Sequence, residues 1–226
     1  MTTQQNLVDF FDANAQTLRF LSQAFFKELT VEAIDSLEGA QWPESTGNDR
    51  LDAGYASVKR YFAFSAPDRR TQLAVEYARI FLAAGVYSKS VRTAVPYESV
   101  FTSEEHMMMA QSRDEVVAWF KEDGFAVDSS LHEPEDHVSF ELEYLQVMSE
   151  RASSFAADGN DKALLDNVAR QRSFIDAHLL NWLPLLAQAV RDYATLTFYT
   201  GLIDVAIGTL EQARDVMGGI RAEEGR

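Results

Sequence analysis

The residues that decide the fold lie in the sequence EPEDHVSFELEYL, which occupies positions 133–145. Pro134 stands among acidic side chains, and this combination is typical of a helix start, because the N-terminal end of a helix carries partial positive charge. The stretch therefore predicts a helix whose start is set by Pro134 and which runs to about 158–159. The apolar residues along it recur at the spacings of a helix with one buried face, and they are Val138, Leu142, Leu145 and Met148.

Helical periodicity extends to both sides of this stretch. No segment shows the two-residue alternation of a half-buried strand, and there is no internal repeat. We therefore expect an all-α fold, a compact bundle of about nine or ten helices in which residues 1–226 form a single domain. The other predicted helices are one capped by Asn6, one over Leu51–Phe62, one opened by Pro67-Asp68 and ending near Gly85, one from Ser103 to Gly124, and those at 161–180, 185–198 and 202–217, the last ended by Gly218-Gly219.

A polar loop at 128–130 precedes Pro134 and divides the chain into two subregions. The N-terminal helices occupy residues 1–128 and the C-terminal helices occupy residues 129–226. We expect this loop to form a hinge-like boundary immediately before Pro134.

The chain is strongly acidic and contains no cysteine. Its 20 Lys+Arg and 35 Asp+Glu give a net charge of −15, whereas nucleic-acid binding requires clustered Lys and Arg. Anionic membranes are unfavourable partners for the same reason, and a cationic partner is favoured, although acidity also serves solubility. The lack of cysteine excludes disulfides, thiolate metal sites and thiol nucleophiles.

No targeting or membrane-spanning segment is recognisable in the sequence. The first positive charge is Arg19, which follows Asp9 and Asp12, so the basic start of a secretory signal is missing. The longest uncharged stretch, Ala177–Val190, is too short for a membrane span and contains Pro184. We expect a cytoplasmic protein without stable membrane insertion.

The common sequence motifs of catalysis are missing as well. The phosphate-binding patterns GxxxxGK[ST] and GxGxxG, the nucleophile motif GxSxG and the zinc motif HExxH do not occur. A helical di-iron site would need two Glu-x-x-His units, but the residues three positions after Glu133 and Glu143 are Asp136 and Gln146. The sequence therefore predicts no enzyme and no resident metal or other cofactor.

The densest polar cluster runs from Glu133 to Glu143. On a helix, His137 and Glu141 stand one turn apart, so the carboxylate could raise the pKa of the histidine and create a proton switch or a weak metal site. The other interpretation is structural, with acidic residues favouring a helix start beside an ordinary i, i+4 pair.

A second candidate is the sequence VPYESVFTS at 95–103, which ends the longest irregular stretch predicted, residues 88–103. Tyr97 and Phe101 could line an apolar slot beside Glu98, or they could pack on the core as loop aromatics. The run Met107–Met109 spans nearly one helical turn, so at least one methionine faces away from the core. Methionine suits adaptable peptide grooves and also fills gaps in cores.

Four elements occur in an order that resembles the TorD/DmsD/NarJ-type family of redox-enzyme maturation chaperones. They are VPYESVFTS, EPEDHVSFELEYL, HLLNWLPLLAQAV at 178–190 and FYTGL at 198–202. The resemblance spans roughly 67–210. The most specific pattern, E-P-x-D-H-x-x-x-E-L-x-Y/F-L, is met at every fixed position by Glu133, Pro134, Asp136, His137, Glu141, Leu142, Tyr144 and Leu145.

The resemblance implies a non-catalytic, all-helical cytoplasmic chaperone. Such proteins bind the twin-arginine signal peptide of a molybdoenzyme precursor and hold it back from the Tat translocon during insertion of the molybdenum cofactor. The implied partners are this signal peptide and the apo form of the catalytic subunit of the enzyme. Some relatives exchange halves, so the resemblance implies either a monomer or a domain-swapped dimer, with the loop before Pro134 as the swap point.

The expected site follows from the chemistry of a twin-arginine peptide, which carries two guanidinium groups followed by an apolar segment. Its receptor should pair carboxylates with the arginines and place an apolar slot beside them. We expect the two candidate stretches to form one surface groove, since both lie at irregular-to-helix transitions where side chains are presented rather than packed. The predicted peptide-binding residues are Tyr97, Glu98, Ser99, Phe101, Glu133, Pro134, Asp136, His137 and Glu141, whereas Leu142 and Leu145 are expected in the core.

Two further hypotheses belong to other functional classes. The first is a metal-binding protein or enzyme that uses the cluster of Glu133, Asp136, His137 and Glu141. The second is a general helical interaction scaffold that does not bind a signal peptide.

Overall fold

A computed structural model of the chain describes residues 3–65, 68–82 and 94–224. Within these ranges the backbone forms ten α-helices and one 3-10 turn at Ser129–Leu131, so the predicted all-α class is confirmed. No helix in the described ranges is both long and apolar enough to cross a membrane. The helices are α1 (Thr3–Phe26), α2 (Val31–Glu38), α3 (Asp49–Phe62), α4 (Arg69–Phe81), α5 (Glu98–Thr102), α6 (Gln111–Glu122), α7 (Val138–Ala157), α8 (Asp161–His178), α9 (Leu183–Tyr193) and α10 (Thr197–Glu224).

The first and last helices extend beyond their predicted ends. α1 begins at Thr3, so Asn6 lies inside the helix instead of capping it. α10 runs through Gly218-Gly219 to Glu224. Each glycine destabilises a helix by about 1 kcal/mol relative to alanine, which is a weak preference that tertiary packing overrides. Here Met217, just before the glycine pair, is completely buried and packs this part of α10 onto the protein.

Ser103 ends a helix instead of starting one. The short α5 lies inside the stretch predicted to be irregular, and Ser103 is its C-cap. The next helix begins only at Gln111, so residues 104–110 form a loop. The predicted helix start at Pro67 and helix end at Gly85 lie outside the described residues.

The helix of the quoted stretch begins at Val138 and not near Pro134, so the prediction that this proline sets the helix start is wrong. Residues 134–137 form a turn in which the His137 N–H donates to the Pro134 carbonyl at 3.2 Å. His137 then caps α7, because its ring nitrogen Nδ1 accepts a hydrogen bond from the Ser139 N–H at 3.1 Å. A side-chain cap at this position fixes the first turn without proline.

Two helix pairs organise the packing: α1 lies along α7, and α3 lies along α10. The main apolar core draws residues from both sides of the 128–130 loop, among them Phe25, Tyr144 and Trp182. Leu142 and Leu145 are buried in it as expected. The single domain and the hinge-like boundary before Pro134 stay predictions.

Glycines allow α3 and α10 to approach closely. A Cβ atom added at Gly54 would lie 2.7 Å from the backbone nitrogen of Val205, and one at Gly201 would lie 2.8 Å from the carbonyl oxygen of Gly54. A Cβ atom at Gly208 would lie 2.7 Å from both the backbone nitrogen and the Cβ atom of Leu51. The two helices are therefore packed backbone against backbone, at distances that no larger residue permits.

Candidate functional site

The two sequence stretches expected to share a site are in direct contact. Tyr97 and His137 form an isolated antiparallel bridge. The Glu98 N–H donates to the Asp136 carbonyl at 3.0 Å, and the Val138 N–H donates to the carbonyl of Pro96 at 2.9 Å. The segment before α5 is thus fastened to the turn before α7, and the starts of the two helices are fixed relative to each other.

Most of the expected site residues are buried, and this corrects the expectation of an exposed groove. Glu98, Ser99, Asp136, His137 and Glu141 all fall in the protein interior. The physical reason is the bridge itself, because the two irregular segments satisfy their backbone groups by pairing with each other and so bury the side chains at the junction.

The remaining expected residues lie at the edge of this junction. Tyr97 is half-buried, and its hydroxyl donates to the carboxylate of the exposed Glu133. Phe101 stacks on the buried ring of Trp182, with 5.6 Å between the ring centroids. Pro134 is partly buried in the turn described above.

His137 is enclosed by aromatic rings. Its ring lies 4.9 Å from that of Tyr97 and 6.1 Å from that of Phe26, measured between centroids. Burial lowers the pKa of His137 to about 3, because an apolar surrounding disfavours the charged imidazolium. The idea that Glu141 raises this pKa and makes a proton switch is therefore wrong.

Three carboxyl groups, those of Glu98, Asp136 and Glu141, are buried behind the junction. Asp136 Oδ2 accepts a hydrogen bond from the Ser99 N–H at 2.8 Å. Neither oxygen of Glu141 has a hydrogen bond of good geometry among the described residues, although the Trp182 indole and the Glu98 carboxyl group lie nearby. Burial, together with the negative charges of Glu98 and Asp136, raises the pKa of Glu141 well above its ordinary value.

The Glu141→Gln variant is expected to be more stable than the wild-type protein at neutral pH. The pKa of Glu141 is higher in the folded state than in the unfolded state. The free energy of unfolding is therefore highest below the ordinary glutamate pKa, where the group is protonated in both states, and it decreases as the pH rises toward and through the raised pKa. Glutamine cannot ionise and so avoids the cost of either protonating this carboxyl group or burying its charge at neutral pH, which should raise the free energy of unfolding by about 1 to 3 kcal/mol.

Urea denaturation at neutral pH and near the ordinary pKa of glutamate tests this expectation. The gain should shrink at the lower pH, and the exposed Glu105→Gln variant should show no comparable gain. A Glu141→Gln protein that is less stable than the wild type at neutral pH would contradict the account of this carboxyl group.

Of the three buried carboxyl groups, that of Glu98 also lines an open cleft with a volume of about 480 Å³. Its carboxylate oxygens are held from behind, with Oε2 3.0 Å from His178 Nδ1 and Oε1 accepting from Asn181 Nδ2 at 2.9 Å. The cleft lies between α5, the 104–110 loop, the start of α6 and the end of α8. Its described lining residues are Glu98, Thr102, Ser103, Glu104, Ala110, Gln111, Ser112, Glu115, Ala177 and Asn181.

The cleft has a negative electrostatic character. Glu98, Glu104 and Glu115 contribute carboxyl groups to its lining, and none of the described lining residues is Lys or Arg. Glu104 and Glu115 are exposed. Carboxylates on the walls of a concave surface concentrate the field within it and attract cationic ligands.

Sequence reasoning identified Glu98 but missed the other two acidic residues of the cleft. Glu104 was predicted as a first-turn residue of a helix that begins only at Gln111. Glu115 lies on α6 and carried no local signal, because its role depends on how that helix packs against α5. Asn181 was included in the family-like element at 178–190 without a role of its own.

The arrangement of acidic and histidine residues does not favour a metal site. In the ranges 3–65, 68–82 and 94–224, no group of three or more His, Asp or Glu side chains is placed to hold a metal ion. The imidazole Nδ1 of His137 is also engaged by Ser139. The interpretation as a metal-binding protein or enzyme is therefore not favoured by the structure.

The chain is similar to a known protein family and to several named proteins. The sequence pattern of the family described as "Nitrate reductase delta subunit" matches residues 48–188, a span that includes both stretches at the junction. A protein named "Chaperone protein TorD" from Vibrio vulnificus is 26% identical over 209 residues, which are 90% of this chain and 94% of the relative.

Two further relatives have the same name. The one from Psychrobacter sp. is 26% identical over 213 residues and covers 91% of both chains. The one from Vibrio cholerae El Tor is 25% identical over 217 residues, or 92% of this chain and 93% of the relative. The relatives are named as chaperones, which is a non-enzymatic role. The chain therefore belongs to the nitrate reductase delta subunit family of TorD-type maturation chaperones.

Proposed function

We propose that this protein is a cytoplasmic chaperone for a molybdopterin-dependent oxidoreductase. In this proposal it binds the twin-arginine signal peptide of the precursor, delays Tat export and supports insertion of the molybdenum cofactor into the apo catalytic subunit. Membership of a maturation-chaperone family supports the general role. The chemistry of the acidic cleft supports the choice of ligand.

The observation that carries the proposal is the cleft of Glu98, Glu104 and Glu115 without a lining cation among the described residues. Two adjacent arginines present forked, permanently charged donors, and carboxylates are their best partners. Glu104 and Glu115 are exposed to a ligand in the cleft, and Glu115 also accepts a hydrogen bond from Gln111 Nε2 at 2.7 Å. His178 and Asn181 hold the buried Glu98 in place. A peptide that carries two arginines would thus meet two exposed carboxylates in a cleft whose lining also includes the fixed carboxyl group of Glu98.

The buried carboxyl groups have a different part in this proposal. Asp136, Glu141 and Glu98 are all buried, so we assign the direct contact with arginine to the exposed cleft residues Glu104 and Glu115, while Glu98 contributes a fixed carboxyl group to the lining. Asp136 positions the start of α5 through its hydrogen bond to the Ser99 N–H. Since Glu98 is the next residue in the chain before Ser99, this hydrogen bond also fixes the place of the cleft carboxylate.

The strength of signal-peptide binding is expected to depend on ionic strength. Charges that are partly exposed interact over about 30 Å at 0.01 M salt and about 8 Å at physiological salt, so added salt weakens them. We expect a synthetic peptide with an Arg-Arg pair and an apolar segment to bind several-fold more weakly at physiological than at low ionic strength. Isothermal titration calorimetry at a series of salt concentrations measures this directly.

A peptide in which both arginines are replaced by glutamine provides the control. Its affinity should be lower and almost independent of salt, because it lacks the charges that the cleft attracts. If the two peptides bind equally well at every salt concentration, the cleft is not the arginine receptor, and the interpretation as a general helical scaffold gains support.

The identity of the partner enzyme and the oligomeric state are separate questions with their own experiments. Affinity purification from the native host followed by mass spectrometry should recover a molybdoenzyme catalytic subunit under this proposal. Light scattering coupled to gel filtration distinguishes a monomer from a domain-swapped dimer formed through the loop before Pro134.

A further inference from the structure

Three consecutive methionines, Met107, Met108 and Met109, are exposed in the loop between Glu104 and Ala110, two residues that line the acidic cleft. Their relative exposures are 57%, 42% and 59%, whereas the other methionines with a described environment, Met148 and Met217, are buried. Single apolar side chains on a surface are ordinary, but contiguous exposed ones mark interaction surfaces. The sequence interpretation that these residues fill gaps in the core is thus wrong for all three methionines of the run.

The loop that carries the methionines is held in a defined conformation. The Met107 N–H donates to Ser103 Oγ at 3.1 Å, and the His106 N–H donates to the Ser103 carbonyl at 3.2 Å. The ring nitrogen Nδ1 of His106 lies 3.0 Å from the Val100 carbonyl oxygen. These contacts tie the loop back to α5, so the methionine side chains are presented from a fixed backbone.

The position of the loop beside the cleft indicates which kind of ligand would cover the methionines. Ser103 and Glu104 at one end of the loop and Ala110 at the other all line the acidic cleft. A ligand whose cationic group lies against Glu104 would therefore have its neighbouring residues within reach of the methionines. An apolar surface on a loop whose two ends line an anionic cleft complements a chain in which apolar residues directly follow basic ones.

We propose that Met107–Met109 form the docking surface for the apolar segment of the peptide whose arginines occupy the acidic cleft. This proposal rests on the proposed function and adds to it the place and the chemistry of a second contact. Methionine suits this contact, because its unbranched, polarisable side chain adapts to apolar sequences of differing shape. The cleft would then recognise the positive charges of the peptide, and the methionine surface would recognise its apolar segment.

The test uses two synthetic peptides and four protein variants in calorimetric titrations. One peptide carries an Arg-Arg pair followed by a Leu/Ala segment, and the other carries the same pair followed by a Gly/Ser segment. The first variant replaces all three methionines by glutamine and the second replaces them by leucine. Single Val75→Gln and Val216→Gln variants are controls, since both valines are exposed and neither lines the cleft.

The proposal predicts that the triple Met→Gln variant binds the Leu/Ala peptide roughly tenfold more weakly than the wild type. The triple Met→Leu variant and both valine variants should keep affinity near that of the wild type. The Gly/Ser peptide should bind all five proteins equally. Circular dichroism and thermal unfolding of each variant establish that the fold is intact.

Two results would overturn the proposal while leaving the proposed function standing. One is wild-type affinity of the triple Met→Gln variant for the Leu/Ala peptide. The other is a dimer of the wild-type protein that dissociates on Met→Gln replacement with unchanged peptide affinity, which would assign the surface to a second copy of the chain. If the wild-type protein binds neither peptide, both the proposed function and this extension of it fail.

Discussion

The Gly208→Ala variant should lose about 3 kcal/mol of unfolding free energy, since overpacking of this kind costs about 1 to 3 kcal/mol or somewhat more. The added methyl group would lie 2.7 Å from the backbone nitrogen and from the Cβ atom of Leu51 and 2.8 Å from its Cα atom. All three atoms are fixed by the backbone of α3, so a change of side-chain rotamer cannot relieve the clash. The helices must separate instead, and this opens the contact that Gly54 and Gly201 also maintain.

A matched control lies on the same helix. A Cβ atom added at Gly219 meets no atom within 4 Å among the described residues, and the position is exposed. Alanine favours the helix over glycine by about 0.5 to 1 kcal/mol, so Gly219→Ala should stabilise the protein slightly.

Urea denaturation of the wild type and the two variants gives the comparison. The midpoint should fall for Gly208→Ala and rise for Gly219→Ala. Because both substitutions make the same chemical change in the same helix, opposite signs isolate the effect of close packing. A Gly208→Ala protein as stable as the wild type would show that α3 and α10 are not packed as tightly as described.

The long helices could be predicted from the sequence because their apolar periodicity is strong. The helix at 161–180 and the helix over Leu51–Phe62 were predicted to within two residues. Helix ends were harder to predict, because local signals compete with tertiary packing. Gly218-Gly219 is an ordinary stop signal, yet α10 continues through it. α2 was missed although its cap has the usual form, with the Thr30 side chain accepting from the Ala33 N–H at 3.2 Å.

The contact between the two candidate stretches could be predicted from the sequence, but the burial of their side chains could not. The pattern around Glu133 and Tyr97 identified two segments that the structure brings together. Burial of the acidic residues Asp136 and Glu141 could not be anticipated, since such residues are almost always exposed unless paired. The cleft itself is formed by α5, α6 and α8, and no local sequence pattern describes how three helices pack.

The second large effect is expected for removal of charge from the cleft. The double variant Glu104→Gln/Glu115→Gln should bind the twin-arginine peptide about 2 kcal/mol, or roughly thirtyfold, more weakly than the wild type. Charge-assisted hydrogen bonds to a desolvated guanidinium are worth about 1.5 to 3 kcal/mol each, and fully exposed pairs are worth about 0 to 1 kcal/mol. In a cleft that is open on one side, the loss of binding free energy per hydrogen bond should lie between these limits.

The double variant should fold normally, because both side chains are exposed. Glu105→Gln is the matched control, since Glu105 is exposed beside Glu104 but is not among the residues that line the cleft. It removes one charge from the loop that carries Glu104 and should leave peptide affinity almost unchanged. A similar loss for Glu105→Gln would mean that overall charge, and not the cleft, attracts the peptide.

A double-mutant cycle tests the contact between the cleft and the arginine pair most directly. Calorimetry measures the affinity of the wild type and of the Glu104→Gln/Glu115→Gln variant for the Arg-Arg peptide and for its Gln-Gln counterpart. If the arginines lie against these carboxylates, the two changes are not additive, and the cycle yields a coupling energy of about 1 to 3 kcal/mol. Additive effects, with a coupling energy near zero in folded proteins, would contradict the assignment of the acidic cleft as the arginine receptor.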